Sequence, residues 1–402
     1  MLKKLYKILS MKRIILYSYI LALTLATVSC SHQRQNGDPA VLSVDINNKT
    51  EDFNVLFDSV KLTPLETTEQ SLIGRAGMMY DLDSLWIIQD TKLQTAKAFD
   101  KKGKFLYQYG AVGAGPGEYP DVYDVGIDKL NQEIILLPPW GQAQKYTVDG
   151  QFISSIELPS APAYNRIFRL NGDRWVIWSI PTNKESVGFQ VLDNNFNVIY
   201  TGQPFDPVYS DLGFHATNFS TDNEKLYIQG QFSRQVYEIG PDSISKAYIW
   251  DFGDYNVKEE AYKAYSDEPV TDPNAYFEKQ KKLLTDENLN WRISQPVNNS
   301  KYRHISYIKS GEKSPDGKTF IRPPYTLHIF YNKESGESIV VNQFSQIPFH
   351  GSPFLMDDKK VTFIIKNEDL DAFRNFAVNG DILEGFDRDD SNPVIATFYF
   401  KK

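Results

Sequence analysis

Cys30 is the only cysteine of this 402-residue chain, and it stands where a thiol can do one particular piece of chemistry. Lys12 and Arg13 follow an internal Met11, Ile14 through Val28 form an apolar run, and the small Ser29 comes just before Cys30. That order is an export signal ending at a cysteine whose thiolate can accept a diacylglycerol. Thr27-Val28-Ser29-Cys30 fits the lipoprotein cleavage pattern at its last two positions, with Thr27 where Leu is usual. Two plainer readings compete. An uncleaved membrane anchor needs about 20 apolar residues, and this run is shorter and interrupted by Ser18 and Thr24. Ordinary signal cleavage would leave an exported chain with one unpaired thiol, in compartments that favour paired ones. Lipidation of Cys30 explains both facts. Translation can start at Met1 or Met11.

The other residues able to do chemistry are scattered. Five histidines are few for a catalytic metal site, and His32 falls next to the signal. His215, His304, His328 and His350 show no HxxxH or HxH spacing, and their separation places them in different blades of the fold argued below. Gly110 to Pro120, GAVGAGPGEYP, has the glycines of a phosphate loop but no Lys-Ser/Thr behind them, and Glu118 would repel an anion. It reads as a crossover with Pro116 fixing φ and Tyr119 packing between sheets. Asp387-Arg388-Asp389-Asp390-Ser391 alternates oxygen ligands as a calcium loop does, yet Asn392 and Phe398 stand where glycine and glutamate belong. It reads as a solvated turn. There is no GxSxG elbow and no second cysteine, so nucleophilic catalysis has no support in the sequence. No cofactor or metal site is expected, although a propeller can bring separated histidines together around its axis.

Removing residues 1–29 takes away five basic and no acidic side chains, leaving 38 Lys+Arg against 51 Asp+Glu and a formal charge of −13. Such a surface disfavours nucleic acid and anionic lipid headgroups, and no basic stripe offsets it. The expected membrane contact is the lipid on Cys30 alone. Residues 31–40, SHQRQNGDPA, are polar and lack periodicity, so residues 30–50 read as the lipidated cysteine and its tether.

The elements that must position any site are strands. Aromatic content of 14%, with 24 Tyr and 25 Phe, suits broad pleated surfaces. SLWIIQD with AKAFDKKGKFLYQYG gives strands separated by a loop and the turn Asp100-Lys101-Lys102-Gly103. EIILLPP with AQKYTVDGQFISSIEL repeats the plan, with a turn at Asp149-Gly150. DRWVIWS with GFQVLDNNFNVIYTG makes a third copy, turning at Asn194-Asn195; KLYIQGQ, RQVYEIG and SKAYIWDFG make a fourth. Leu85, Ile134, Trp175 and Leu226, on the second strands, are 49, 41 and 51 positions apart. A period of about 40 to 50 residues built from four strands is the signature of a propeller blade. YRHISYI and YTLHIFYNKESGESIVV supply a fifth blade, and FLMDDKKVTFII with NPVIATFYF a sixth that lacks an outer strand. FDSVKLTPLE, near the amino end, is a strand without a blade. Placing it at the edge of the sixth closes the ring and removes an exposed edge. The expected fold is therefore all-β: a six-bladed propeller of four-stranded antiparallel blades over residues 51–402.

SVKLTPLETTEQSLIG, YGAVGAGPGEY and SNPVIATFYFKK, together with the blade pattern, make the chain resemble the six-bladed β-propeller lipoproteins of Gram-negative envelopes, relatives of NHL-repeat propellers. That resemblance implies a fold and a lipid anchor in the outer membrane, on the periplasmic side or the cell surface. It implies no reaction. The residues after Cys30 lack an acidic cluster of the kind associated with surface export, which favours the periplasmic side.

One stretch breaks the strand rhythm. In residues 257–290, Asp272-Pro273 begins NAYFEKQKKLLTDEN, whose Tyr276, Phe277, Leu283 and Leu284 recur at helical spacing. This predicts a helical insertion between blades four and five, either a packed decoration or a lid. Connections between blades and those between second and third strands share one face of a propeller. On that face the sequence puts Arg75, Asp90, Tyr119, Tyr123, Trp140, His215, Arg234 and His350 as candidate ligand-binding residues. Aromatics with a few charges suit a glycan, a peptide or another small polar ligand, or an envelope protein partner, bound without catalysis. Two alternatives stay open: a metal-assisted lyase or hydrolase using His215 and His350 with axial carboxylates, and a structural component of an envelope complex.

Overall fold

The computed structural model describes residues 39–161, 163–170, 173–179, 187–204, 217–222, 225–266, 286, 291–313, 320–322, 325–342, 344–345, 347, 351–365, 369–384, 386–387 and 390–402. Cys30, His215 and His350 lie outside them, as do His32 and the expected helix after Pro273.

Six sheets follow one another along the chain. Blade 1 is built from Ala76–Asp81, Leu85–Asp90, Thr95–Asp100 and Phe105–Tyr109, paired in that order. Blade 2 runs from Asp124–Asp128 to Phe152–Ile156, blade 3 from Tyr164–Leu170 to Val198–Gly202, and blade 4 from Thr217–Asp222 to Ile244–Asp251. Blade 5 runs from Trp291–Asn298 to Ser338–Val341. The four spaced apolar residues all fall on second strands, because those strands are covered on both sides and must be continuously apolar. Leu85–Asp90, for example, is buried at every position. A hydrophobic cluster fills each of the six gaps between neighbouring blades, including the gap between the sixth and the first.

Ring closure follows the sequence reading. Leu355–Met356, Lys360–Ile365 and Val394–Phe400 form three strands of blade 6, and Phe57–Pro64 adds the fourth, antiparallel to the last, with Val60 opposite Phe398 and Pro64 opposite Val394. Pro64 sits on the outermost strand, where its missing N–H costs least. The hairpin turns also follow. Asp100 accepts the N–H of Lys102 at 2.8 Å and of Lys104 at 2.9 Å, while Gly103 takes φ +86°. In blade 3 the left-handed position is not one of the two asparagines but Phe196, at φ 63°. Its ring stacks on Trp175 at 5.7 Å between blades 2 and 3, and Asp193 accepts the flanking N–H groups of Asn195 and Asn197 at 2.8 Å. Burial of the ring offsets the backbone strain.

One expectation changes. The tether read as residues 30–50 is built into the disc over its last part. Ala40–Ser43 pairs in parallel with the outer strand of blade 4, and Lys49–Thr50 with that of blade 5. Leu42, Val44 and Ile46 are buried in the cluster between those blades. The segment is short and alternating, so its polar residues mask a buried face in the sequence. The helical insertion between blades four and five is present: its described part includes the helix Glu259–Ser266, which packs on the ring, and the helix expected after Pro273 lies outside the described residues. Tyr262 is buried and stacks on Phe232 at 4.8 Å, and Glu259 accepts the Arg234 N–H at 2.8 Å.

The glycine-rich crossover forms a small parallel pairing of Ala111–Val112 with Glu118–Tyr119. Glu118 turns back to accept the Gly115 N–H at 2.8 Å, so the loop holds its own carboxylate where a phosphate would have to sit.

Candidate functional site

The two faces of the ring are unequal. On one face lie the turns between first and second and between third and fourth strands, each two to five residues long. That face is also stitched across blades. Arg169 meets Asp128 at 3.3 Å, Arg303 and Lys333 meet the buried Asp222 at 3.1 and 2.5 Å, and both Lys101 and Lys360 reach Asp81. The other face carries the crossovers between blades and the loops between second and third strands. These include the long stretches 252–290 and 366–393, the latter holding the helix Leu370–Arg374. Long connections on a rigid scaffold are where binding residues concentrate.

All six described candidates belong to that second face, and their environments separate them. Asp90 is buried, and its carboxylate accepts four backbone N–H groups: Gly74 at 2.6 Å, Arg75 at 3.1 Å, Lys92 at 2.9 Å and Leu93 at 3.0 Å. It clamps the crossover from blade 6 to the adjoining loop of blade 1. Tyr119 is buried too, donating to the Tyr109 carbonyl at 2.7 Å, and burial pushes its phenol well above the ordinary range. These two shape the face from beneath.

The remaining four reach its surface. Arg75 is exposed, with Nε donating to Thr91 at 2.7 Å. Tyr123 is half-buried, and its carbonyl and that of Val122 both accept from the Gln89 amide. Arg234 donates to the Trp250 carbonyl at 3.2 Å beside the insertion helix. Trp140 is 63% exposed, in the loop after Glu133–Leu137, and the next residue, Gly141, takes φ +82° with open space where a Cβ would be. The structure thus brings Arg75 and Asp90 together and links them through Gln89 to Tyr123, while Arg234 lies on a different blade.

The chain's relatives show the same architecture. Residues 41–399 match the family described as a domain of unknown function, DUF4934. The chain belongs to that family. No curated protein matches this DUF4934 chain in sequence. Among solved structures it is similar to a candidate exported protein of Bacteroides fragilis, with a TM-score of 0.67 at 14% identity over 90% of this chain and all of that one. It is also similar to a member of the DUF4221 family from Bacteroides vulgatus, with a TM-score of 0.53 at 11% identity over 86% of this chain and 97% of that one. At those identities the likeness is one of fold.

Two groupings in the DUF4934 ring were not legible in the sequence. Tyr80, Asp124 and Arg166 come from the innermost strands of blades 1, 2 and 3 and form one hydrogen-bonded chain. The Tyr80 hydroxyl donates to Asp124, and Asp124 accepts from Arg166 Nε at 3.0 Å and from the Ile167 N–H at 2.7 Å. The guanidinium continues over the Phe219 ring of blade 4 at 5.6 Å. Burial opposes the charge on Arg166, but Asp124 and Tyr80 hold its pKa above the ordinary value. Burial and the adjacent Asp124 carboxylate push the Tyr80 phenol well up. The three lie about 40 residues apart, so only the blade period could have flagged them.

The second grouping corrects an expectation. His304 and His328 lie in one blade, on neighbouring strands, with His304 Nε2 and His328 Nδ1 3.2 Å apart. Burial and the nearby His328 push the His304 imidazole well below its ordinary pKa. Among the described residues no three of His, Cys, Asp and Glu gather at one point. A pocket of about 530 Å³ lies elsewhere, at the seam between blades 6 and 1, lined by Glu66, Lys102, Lys104, Phe386 and Asp387 among others. Its charges are mixed, and Glu66 is already engaged by the Phe105 N–H at 2.9 Å.

Proposed function

We propose that this chain is a cell-envelope lipoprotein, anchored through Cys30, whose propeller binds a polar organic ligand, a glycan or a peptide, without transforming it. The observation that carries the reading is Trp140, an indole left open to solvent on the face where the long connections gather. A large exposed apolar ring on the same face as the half-buried Tyr123 offers a stacking platform for a sugar ring or a peptide group. Arg75 and Arg234 add donors for hydroxyl or carboxylate oxygens. Ion pairs across blades on the opposite face hold the ring in register.

Isothermal titration of the mature chain against glycan and peptide panels tests this. For any ligand that the wild type binds, Trp140→Ala should weaken affinity roughly tenfold or more. Unchanged affinity in that variant would place the site away from Trp140.

A further inference from the structure

The outer rim of the ring is uniform in topology but not in chemistry. The outer strands of blades 1, 2 and 3, Phe105–Tyr109, Phe152–Ile156 and Val198–Gly202, read FLYQY, FISSI and VIYTG and hold no charged residue. Each begins with exposed apolar side chains: Leu106; Phe152 and Ile153; Val198 and Ile199. Among the described residues no further strand pairs with their outer edges. Blades 4 and 6 carry Lys246, Asp251, Asp58 and Lys61 on the corresponding strands, and the edge of blade 5 is covered by Lys49–Thr50.

The chain enters the ring at Ala40, on the outer edge of blade 4, with the exposed Val41 next to it and blade 3 the adjacent blade on one side. Cys30 lies ten residues upstream, and ten residues span at most about 35 Å. A lipid on Cys30 therefore holds the membrane within reach of this rim, while blade 1 lies opposite the point of entry.

We propose that the rim of blades 2 and 3, centred on Val198 and Ile199 with Phe152 and Ile153 beside them, is the surface that lies against the lipid headgroups. This rests on the anchor reading above. Lipid chains alone hold a protein to a bilayer without fixing its orientation, and partly buried apolar side chains at the headgroup boundary supply a second contact. Ser154 and Thr201 offer hydroxyls to the same interface, while Ser155 donates its own to Gln144 Oε1 at 2.8 Å. The disc then stands on edge, and the face carrying Trp140 opens sideways into the aqueous space.

The test uses the mature chain from Cys30 with its single thiol coupled to a maleimide phospholipid in vesicles of the zwitterionic lipids phosphatidylethanolamine and phosphatidylcholine, because the acidic mature chain disfavours anionic headgroups. Coupling should slow amide hydrogen exchange in residues 152–156 and 198–202 roughly tenfold relative to the uncoupled chain, and Ile199→Asp should abolish the slowing with an unchanged melting transition. Unaltered exchange in both strands, or protection at another surface, would overturn the proposal. So would concentration-dependent protection of the uncoupled chain, which would assign the rim to a second copy. Chemical coupling bypasses the cell, so absence of fatty-acid labelling in vivo would sink the anchor reading alone.

Discussion

The Asn379 side chain meets the backbone of Leu62 as a neighbouring strand would: Nδ2 donates to the Leu62 carbonyl and Oδ1 accepts from the Leu62 N–H, both at 2.9 Å. Val378 adds a backbone bond to the Val60 carbonyl at 2.9 Å. A segment 317 residues later in the chain thereby covers the outer edge of the strand that closes the ring. Asn392 repeats the device one step on. It accepts the Ile73 N–H at 2.7 Å and donates to the carbonyls of Glu66 and Ser71 at 2.7 and 2.9 Å.

Closure should therefore be sensitive to single side chains. Asn379→Ala leaves one donor and one acceptor of the Leu62 backbone without these partners and should cost about 1–3 kcal/mol. Deleting residues 51–66 should abolish cooperative unfolding or cause aggregation, since it bares the edge of Val394–Phe400. Thermal melts of both variants check this, and an unchanged transition after the deletion would rule this closure out.

Gly103 has no room for a side chain. A Cβ there would stand 2.1 Å from the Pro64 carbonyl oxygen, and the residue holds φ +86°. Gly103→Ala should destabilise by about 2 kcal/mol or more through the backbone conformation and the displaced seam together. Denaturant titration measures it.

The amino-terminal segment divides at Ala40. Removing residues 31–39 should leave the melting transition nearly unchanged, while removing 40–50 should lower it, because Leu42, Val44 and Ile46 leave a buried cluster. Equal melting temperatures would show that the pairing with blades 4 and 5 contributes nothing.

The insertion contributes to the core as well. Deleting 257–290 removes Val257 and Tyr262 from the core and Glu259 from the Arg234 N–H, so stability should fall. Calorimetry measures the loss, and an unchanged melting transition would show that this helix adds nothing to the ring.

Acid should weaken the ring near blade 5. His304 has a folded-state pKa well below that of the unfolded chain, so the unfolded state takes up its proton first. The stability it permits is whole above about pH 6.5 and is lost as pH falls below that value. The wild type should lose stability between pH 7 and 5, and His304→Phe should shallow that slope by up to about one proton. Parallel urea titrations decide it, and identical slopes would refute the assignment.

Lipidation is tested in cells. Cys30→Ala should move the protein to the soluble fraction, and the wild type should take up a fatty-acid analogue. A wild type without label would end the anchor reading.

The architecture was legible because propeller strands are buried on both faces. LWIIQD and EIILL announce themselves as apolar runs, and Asp-Gly turns mark the hairpins between them. Asp90 was legible only as a residue of the right face. Whether a carboxylate at a strand end binds a ligand or clamps four backbone N–H groups depends on which amides the crossover delivers to it. Tyr119 shows the same ambiguity between a ring facing a ligand and one packed between sheets.

By itself the sequence determined the six-fold plan, the sharing of the last blade between the two ends of the chain, and a single thiol after a basic and then apolar amino-terminal run. These are properties of local pattern, set by period, turn chemistry and hydrophobic runs. The tertiary structure alone decided what meets across blades: Tyr80 with Asp124 and Arg166, His304 with His328, Asn379 with Leu62. Each contact joins residues whose side chains give no local sign of one another, since strand twist and blade rotation set their approach. The same holds for the rim, where FISSI and VIYTG read as ordinary strands until the ring leaves their outer edges open.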